Sequence, residues 1–236
     1  MARLAPLLAL MTALPLAAAA AAPAPAVDPK NPTCPPQLNV STYPAMRFSV
    51  KKEGGRTILI GEGGIDDLLV ERLTDAIEAH KPIDELWLRS PGGNAEVGNA
   101  AGRLLRKLGI PTRIPAGWAC FSACNFVFMG GPIRMIDPGG LFVVHMFTHA
   151  ADRAYVSEQV KKGDQSALDL IGQVEQNSAL LATDDNDFLI RMGVSRKLLS
   201  EVMYQQKALE EQGKDRSTRR CLSQDEVFRY NVANVR

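Results

Sequence analysis

Apolar residues follow two different spacings along the chain, one typical of strands and one typical of helices. Short apolar runs at 57–60, 86–88 and 141–144 stand beside glycine- or proline-containing turns and predict buried strands. From Asp66 to Ala79, apolar residues recur at every third or fourth position and predict a helix. Alternation of strand and helix favours an α/β fold with a largely parallel sheet.

The same alternation continues on both sides of these elements. Before them, residues 46–50 predict an edge strand, and Gly54-Gly55 predicts a hairpin turn. After residue 90, helical spacing predicts a helix over 96–108 that stops at Gly109. The remaining predicted elements are strands at 112–115 and 133–136, a buried apolar helix around 126–129, helical stretches at 154–181 and 188–203, and a tail at 222–235 with a short helix and a final strand.

The first 26 residues differ in composition from the rest. Arg3 precedes an apolar run from Leu4 to Leu16, and an Ala-rich stretch ending Ala24-Pro25-Ala26 follows. This order is typical of a cleaved signal peptide, and the run is short for a membrane span. An uncleaved anchor is the alternative. We therefore expect a signal peptide at 1–26, an irregular lead-in at 27–45, and one domain at 46–236 with a helical insertion at 154–203.

Composition and charge narrow the function classes. With 236 residues, 46% of them apolar and 22% charged, the chain is typical of a globular protein with one ordinary domain. The 27 basic residues include Arg3, so the remaining 26 would balance the 26 acidic residues after cleavage. A neutral chain has no electrostatic attraction to nucleic acid or to an anionic membrane surface. We therefore expect no nucleic-acid partner and no stable membrane span in the mature protein.

The chain has four cysteines, at Cys34, Cys120, Cys124 and Cys221. An even number in an exported protein indicates disulfides, and four cysteines allow three pairings. We favour Cys120 with Cys124, and Cys34 with Cys221, because the second bond would tie the N-terminal lead-in to the C-terminal end. A zinc site is the alternative, but the sequence has no C-x-x-C pair and the cysteines lie in three separate places.

Two turn-like segments could carry chemistry. Ser90-Pro91-Gly92-Gly93 ends a predicted strand, and its glycines would let backbone amides approach a ligand closely. Taken alone, it is also a common turn. Ser122 lies between a strand and an apolar helix, where a hydroxyl can be exposed at a tight turn with the next amide free. Taken alone, it is equally a helix N-cap serine.

His145 ends the apolar strand that begins at residue 141. The other two histidines are His80 and His149. A single histidine on an apolar strand is more often a core residue with satisfied hydrogen bonds than a catalytic base. The four-residue spacing of His145 and His149 would suit a metal site on a helix, but the residues before His145 predict a strand. We therefore expect no metal.

Together these segments resemble the proteolytic subunit of the Clp protease and its relatives of the Clp/crotonase fold. The resemblance covers roughly residues 56–147. It includes Ile58 to Asp66, the strand ending Ser90-Pro91-Gly92-Gly93, the segment Cys120-Phe121-Ser122-Ala123-Cys124, and Gly130-Gly131 with Ile133-Arg134, and it ends at His145. It implies a Clp/crotonase-like spiral of ββα units with a largely parallel sheet. Members of this fold commonly form rings, so the resemblance implies a homo-oligomer.

The resemblance also implies roles for individual residues. Ser122 would be the nucleophile and His145 the general base. The amides of Gly93 (or Gly92) and Ala123 would form the oxyanion hole. The third member of a triad is open: Asp215 falls where the family carries its aspartate, Asp184, Asp185 and Asp187 are rivals, and a dyad with a backbone or water partner for His145 remains an alternative.

These roles predict a serine hydrolase that cleaves a peptide or related acyl bond without cofactor or metal. The signal segment predicts that it is exported, to the periplasm or out of the cell. Three alternatives stay open. Cys124 could be a thiolate nucleophile paired with His145. The chain could be a catalytically silent module that binds peptides or proteins. It could also act on coenzyme A thioesters as crotonases do, although that chemistry does not use a Ser122/His145 pair.

Overall fold

A computed structural model describes residues 33–146, 148, 153–209 and 218–236 of the chain. The signal segment predicted at 1–26 therefore lies outside the described residues. Of the lead-in predicted at 27–45, the described part, from residue 33 on, contains no helix and no strand. The strands are β1 Arg47–Glu53, β2 Arg56–Glu62, β3 Glu85–Arg89, β4 Thr112–Ile114, β5 Ala119–Phe121, β6 Arg134–Ile136, β7 Leu141–His145 and β8 Arg219–Cys221. The α-helices are α1 Leu69–His80, α2 Ala95–Leu108, α3 Cys124–Gly130, α4 Arg153–Lys161, α5 Asp164–Met192 and α6 Gln224–Arg229.

Five strands form the larger sheet, in the order β1-β2-β3-β4-β6. The edge strand β1 is antiparallel to β2, and the other neighbours are parallel, which confirms the α/β architecture with a largely parallel sheet. The β1–β2 hairpin turns at Gly54 and Gly55, with φ of 57° and 79°. Two consecutive positive φ angles suit glycine and define the tight turn that fits the strand twist.

The smaller sheet contains β5, β7 and β8, with β7 in the middle. The strand β5 was not predicted as a separate element, because its three residues are too short for a periodic pattern. A parallel bridge between Ser90 and Cys120 links the end of β3 to β5. The two sheets are thereby joined where the glycine turn after β3 begins.

Helices α2 and α3 pack against each other backbone to backbone. A Cβ placed on Gly130 would lie 2.2 Å from the carbonyl oxygen of Gly102, and one on Gly102 would lie 2.4 Å from that of Phe126. Only glycines permit such an approach. The short apolar helix α3, whose seven residues are all buried, is therefore held at a fixed distance from α2.

The C-terminal half differs from the sequence prediction in two places. The predicted helix at 154–181 is broken at Gly163, and α5 then continues to Met192, where Gly193 ends it with a φ of 67°. The separate helical stretch expected at 188–203 is therefore wrong in its start. A π-helical turn at Leu198–Val202 and a 3-10 turn at Met203–Gln205 follow instead.

The tail also departs from the prediction. The short helix is confirmed as α6, which begins with a capping box of Ser223 and Glu226. The expected final strand is wrong, because Val235 makes only a single bridge to Met135. The C-terminal region instead contributes the strand β8, which pairs antiparallel with β7. Within the described ranges, no helix combines the length and apolarity needed to cross a bilayer.

The close contact of α2 and α3 generates a stability prediction. We expect Gly130→Ala to destabilise the protein by about 1–3 kcal/mol, because its methyl group would meet the Gly102 backbone, which cannot move aside cheaply. Gly172→Ala in α5 is the matched control: nothing lies within 4 Å of its Cβ, and we expect a gain of about 0.5–1 kcal/mol. Urea unfolding measures both. Equal stability of the two variants would contradict the packing argument.

Candidate active site

Ser122 lies in the two-residue link between β5 and α3 and has a φ of 58°. A serine in this left-handed region is uncommon, and such conformations persist only where the surroundings impose them. The Ser122 N–H donates to the carbonyl oxygen of Val143 at 3.2 Å, which ties the turn to the neighbouring strand β7. The geometry is that of a strained strand-to-helix turn that presents a side chain.

A disulfide spans this turn. Cys120 and Cys124 are bonded, with their Cα atoms 5.3 Å apart, and both residues are fully buried. The second disulfide joins Cys34 to Cys221, which is paired with Val143 in the β7–β8 ladder. The structure thus contains the two pairings that we favoured. The alternative of Cys124 as a thiolate nucleophile is wrong for this structure, because its sulfur is bonded to that of Cys120.

His145, the last residue of β7, faces the turn. Its Nε2 lies 2.6 Å from the Ser122 Oγ, and its Nδ1 lies 2.7 Å from the carbonyl oxygen of Met146. A carbonyl can only accept a hydrogen bond, so Nδ1 carries the proton and Nε2 is the acceptor for the Ser122 hydroxyl. This is the tautomer that removal of a proton from the hydroxyl requires.

The surroundings of His145 also favour its neutral form. Burial lowers the pKa of the imidazole because the charged form loses hydration, and the hydrogen bond to the Met146 carbonyl opposes part of this shift. The Phe121 ring contributes to the burial, with its centroid 4.9 Å from that of the imidazole. At neutral pH the ring is therefore available to accept a proton.

Asn125, the second residue of α3, connects the Ser122 turn to β7. Its Nδ2 donates to the Val143 carbonyl oxygen at 2.8 Å, so this oxygen accepts from both Asn125 and Ser122. The Asn125 side chain is buried, and its Oδ1 has no hydrogen-bond partner in the described part of the chain. Sequence reasoning missed this residue, although a polar side chain in an otherwise apolar helix was an available signal.

The glycine turn after β3 lies directly against Ser122. A Cβ on Gly92 would lie 2.6 Å from the Ser122 Cβ and 3.0 Å from the Ala123 nitrogen. The Gly92 N–H donates to the Ser90 Oγ at 3.0 Å and is thus occupied. Among the residues that the structure describes, neither the Gly93 nor the Ala123 N–H donates a hydrogen bond. Gly93 and Ala123 are therefore the two amides that could bind an oxyanion, while Gly92 allows the close approach.

Within the described residues, no carboxylate contacts the His145 ring. Asp215 and His149 lie outside the described residues. The three rivals are on α5, where they face α2: Asp184 and Asp187 form ion pairs with Arg103, and Asp185 accepts from Asn99 at 3.1 Å. Burial raises the pKa of Asp185 to about 6. The partner of Nδ1 is instead the Met146 carbonyl, a backbone group that no sequence motif reveals.

No metal-binding arrangement is formed by the described residues. Within 33–146, 148, 153–209 and 218–236, no three His, Cys, Asp or Glu side chains are grouped so that they could bind a metal ion. Among the described residues, the groups around Ser122 that could take part in chemistry are a hydroxyl, an imidazole and two backbone amides.

Comparison with known proteins identifies the fold of the chain. No protein-family model matches the sequence, and no curated protein matches it. Among solved structures, a point mutant of ClpP1 from Listeria monocytogenes is similar, with a TM-score of 0.50 and 15% sequence identity. The match covers 75% of this chain and 88% of that chain. At this identity the likeness establishes the fold alone: the chain has a Clp protease-like fold of the Clp/crotonase type.

Proposed function

We propose that the protein is a serine hydrolase, a peptidase of peptide or protein substrates, with Ser122 as nucleophile and His145 as general base. The observation that carries the proposal is the 2.6 Å contact between Ser122 Oγ and His145 Nε2, with Nδ1 bound to a carbonyl. A serine hydroxyl becomes an effective nucleophile when such a base accepts its proton. The likeness to a Clp-type structure supports the proposal at the level of the fold.

The reaction would proceed through an acyl-enzyme. The Ser122 Oγ forms a bond to the substrate carbonyl carbon while its proton passes to His145 Nε2, and the oxyanion accepts from the amides of Gly93 and Ala123. Collapse breaks the C–N bond, and the proton on Nε2 leaves with the amine. Water then attacks the ester and gives a proton to His145, and the acid is released as that proton passes to the Ser122 Oγ. The Met146 carbonyl would hold the imidazole in its tautomer, and Asp215 as the third member of a triad stays a prediction.

The proposal includes export and self-association. Two disulfides support an oxidising compartment, since such bonds are rare in reducing cytosol. We place a signal peptide at 1–26, ahead of one domain at 46–236 in which 154–203 is a helical insertion. The fold likeness supports a homo-oligomer, and the protein needs no cofactor. The alternative remains a catalytically silent module of the same fold that binds peptides.

Covalent labelling tests the proposed nucleophile. We expect a fluorophosphonate probe to label the purified mature protein and its Ser49→Ala variant, in which an exposed serine of β1 is removed, but not Ser122→Ala. Intact-mass spectrometry measures the added phosphonyl group, and circular dichroism checks folding. A folded wild-type protein that stays unlabelled between pH 5 and pH 9 would favour the binding module over the hydrolase.

The pH dependence of labelling tests the proposed base. The neutral imidazole is the reactive form, so the rate should fall as the pH falls through the pKa of His145. Because burial lowers this pKa, we expect the acid midpoint below the usual histidine value of about 6.5. Phe121→Ala should shift the midpoint upward, because it removes the ring that shields the imidazole. A midpoint above that value in the wild type would contradict the assignment.

Asn125 would act as a positioning residue that holds β7 against the Ser122 turn. We expect Asn125→Ala to slow fluorophosphonate labelling about tenfold, because β7 loses one of the two donors that set its distance from Ser122. Asn234→Ala is the control, since its amide also donates to a carbonyl, that of Pro132, at a distant point in the tail. Labelling rates per folded molecule should change only for the first variant. Equal rates in both variants would show that Asn125 serves stability alone.

A further inference from the structure

A cleft of about 550 Å³ lies between the first turn of α2 and the middle of α5. It begins at Asn94, the residue after the Gly93 amide. Its α2 wall packs against the Ser122 turn, because a Cβ on Gly98 would lie 2.6 Å from the Ala123 carbonyl oxygen. The cleft therefore begins one residue along the chain from the Gly93 amide, on the helix that contacts Ala123. Its lining residues are Asn94, Ala95 and Glu96 from α2, and Asn177, Leu180, Leu181 and Asp184 from α5.

The cleft combines apolar and amide surface with one uncompensated charge. The Asp184 carboxylate is paired with the Arg103 guanidinium at 2.7 Å, so its charge is balanced. Glu96 is exposed and has neither an ion pair nor a hydrogen bond from its side chain among the described residues. Neither wall contributes a lysine or an arginine in the described ranges. The net charge lining the cleft is therefore negative, beside the leucine side chains of α5.

The first turn of a helix is a second and independent reason for an acidic residue at Glu96. Acidic residues in the first turn of a helix are favoured by the helix dipole, and α1 has one too, at Glu71. Glu71 lies outside the cleft lining, however, whereas Glu96 is part of it. A comparison of variants at Glu96 and Glu71 therefore distinguishes an effect in the cleft from an effect on helix stability.

We infer that this cleft selects a lysine or arginine side chain next to the carbonyl that Ser122 attacks. A long side chain would lay its methylene groups against Leu180 and Leu181 and bring its cationic end to Glu96. The inference rests on the proposed hydrolase function and adds the substrate class: peptides cleaved after a basic residue. Glu96 is the residue that determines this specificity.

Two peptidyl diphenyl phosphonates test the inference. One has a lysine side chain. The other has a norleucine side chain, which has the same number of carbon atoms but no ammonium group. The Ser122 Oγ would bond to phosphorus, phenoxide would leave, and the hydroxyl proton would pass to His145. We expect the lysine probe to inactivate the wild-type protein about threefold to fivefold faster than the norleucine probe, the range of a partly exposed ion pair. The ratio should fall in high salt.

Matched variants identify the carboxylate responsible. Glu96→Gln should reduce the lysine-to-norleucine ratio to about one, while Glu71→Gln, with the same charge removed from the first turn of α1, should leave the ratio unchanged. A ratio of one or less in the wild type would overturn the inference, as would a protein that fluorophosphonate labels but neither peptidyl probe inactivates. Absence of fluorophosphonate labelling at Ser122 would instead refute the hydrolase function, and the inference with it.

Discussion

One carbonyl oxygen, that of Val143, fixes the position of the Ser122 turn relative to strand β7. It accepts from the Ser122 N–H at 3.2 Å and from the Asn125 Nδ2 at 2.8 Å, and it belongs to the strand that ends two residues later at His145. A strand residue cannot move far from its neighbours, because the ladder on both sides of β7 fixes it. These backbone constraints bring Oγ and Nε2 close enough to form their 2.6 Å hydrogen bond.

The left-handed conformation of Ser122 depends on support from several sides. The disulfide between Cys120 and Cys124 closes the turn covalently. Gly92 leaves space for the Ser122 side chain, and the glycines shared by α2 and α3 hold the helix that follows. Strain of about 1–3 kcal/mol at one residue persists only where the surrounding structure over-determines it. An oxidising compartment would preserve the covalent part of this support.

The imidazole of His145 is oriented by a backbone carbonyl among the described residues. A carbonyl fixes the tautomer as a carboxylate would, but it carries no net charge to stabilise the imidazolium that forms when the ring accepts a proton. Burial also disfavours that charged form and lowers the pKa of the ring. Among the described groups, the carbonyl contact orients the imidazole, and burial holds its pKa below the usual histidine value.

The cleft lies between the first turn of α2 and the middle of α5, and its first residue, Asn94, follows Gly93 in the chain. The same first turn of α2 contributes Asn94 as N-cap, Gly98 as the close contact with Ala123, and Glu96 in the cleft. One helical turn thus connects the positioning of the Ser122 loop with the surface that a substrate side chain would meet. The long helix α5 supplies the opposite wall of the cleft.

The sequence by itself determined the α/β alternation and most helices and strands before residue 145, and its resemblance to a known family singled out Ser122 and His145. Apolar periodicity, glycine turns and cysteine number are local properties, so they can be read without coordinates. Short or irregular elements such as β5 and β8, and the true end of α5 at Met192, were decided by pairing and packing with distant segments. The tertiary structure alone decided that Asn125 binds the Val143 carbonyl, that the Gly92 amide is occupied, and that a backbone carbonyl contacts His145. These contacts join residues far apart in the chain or involve backbone groups that every residue has. The type of a residue therefore does not predict them.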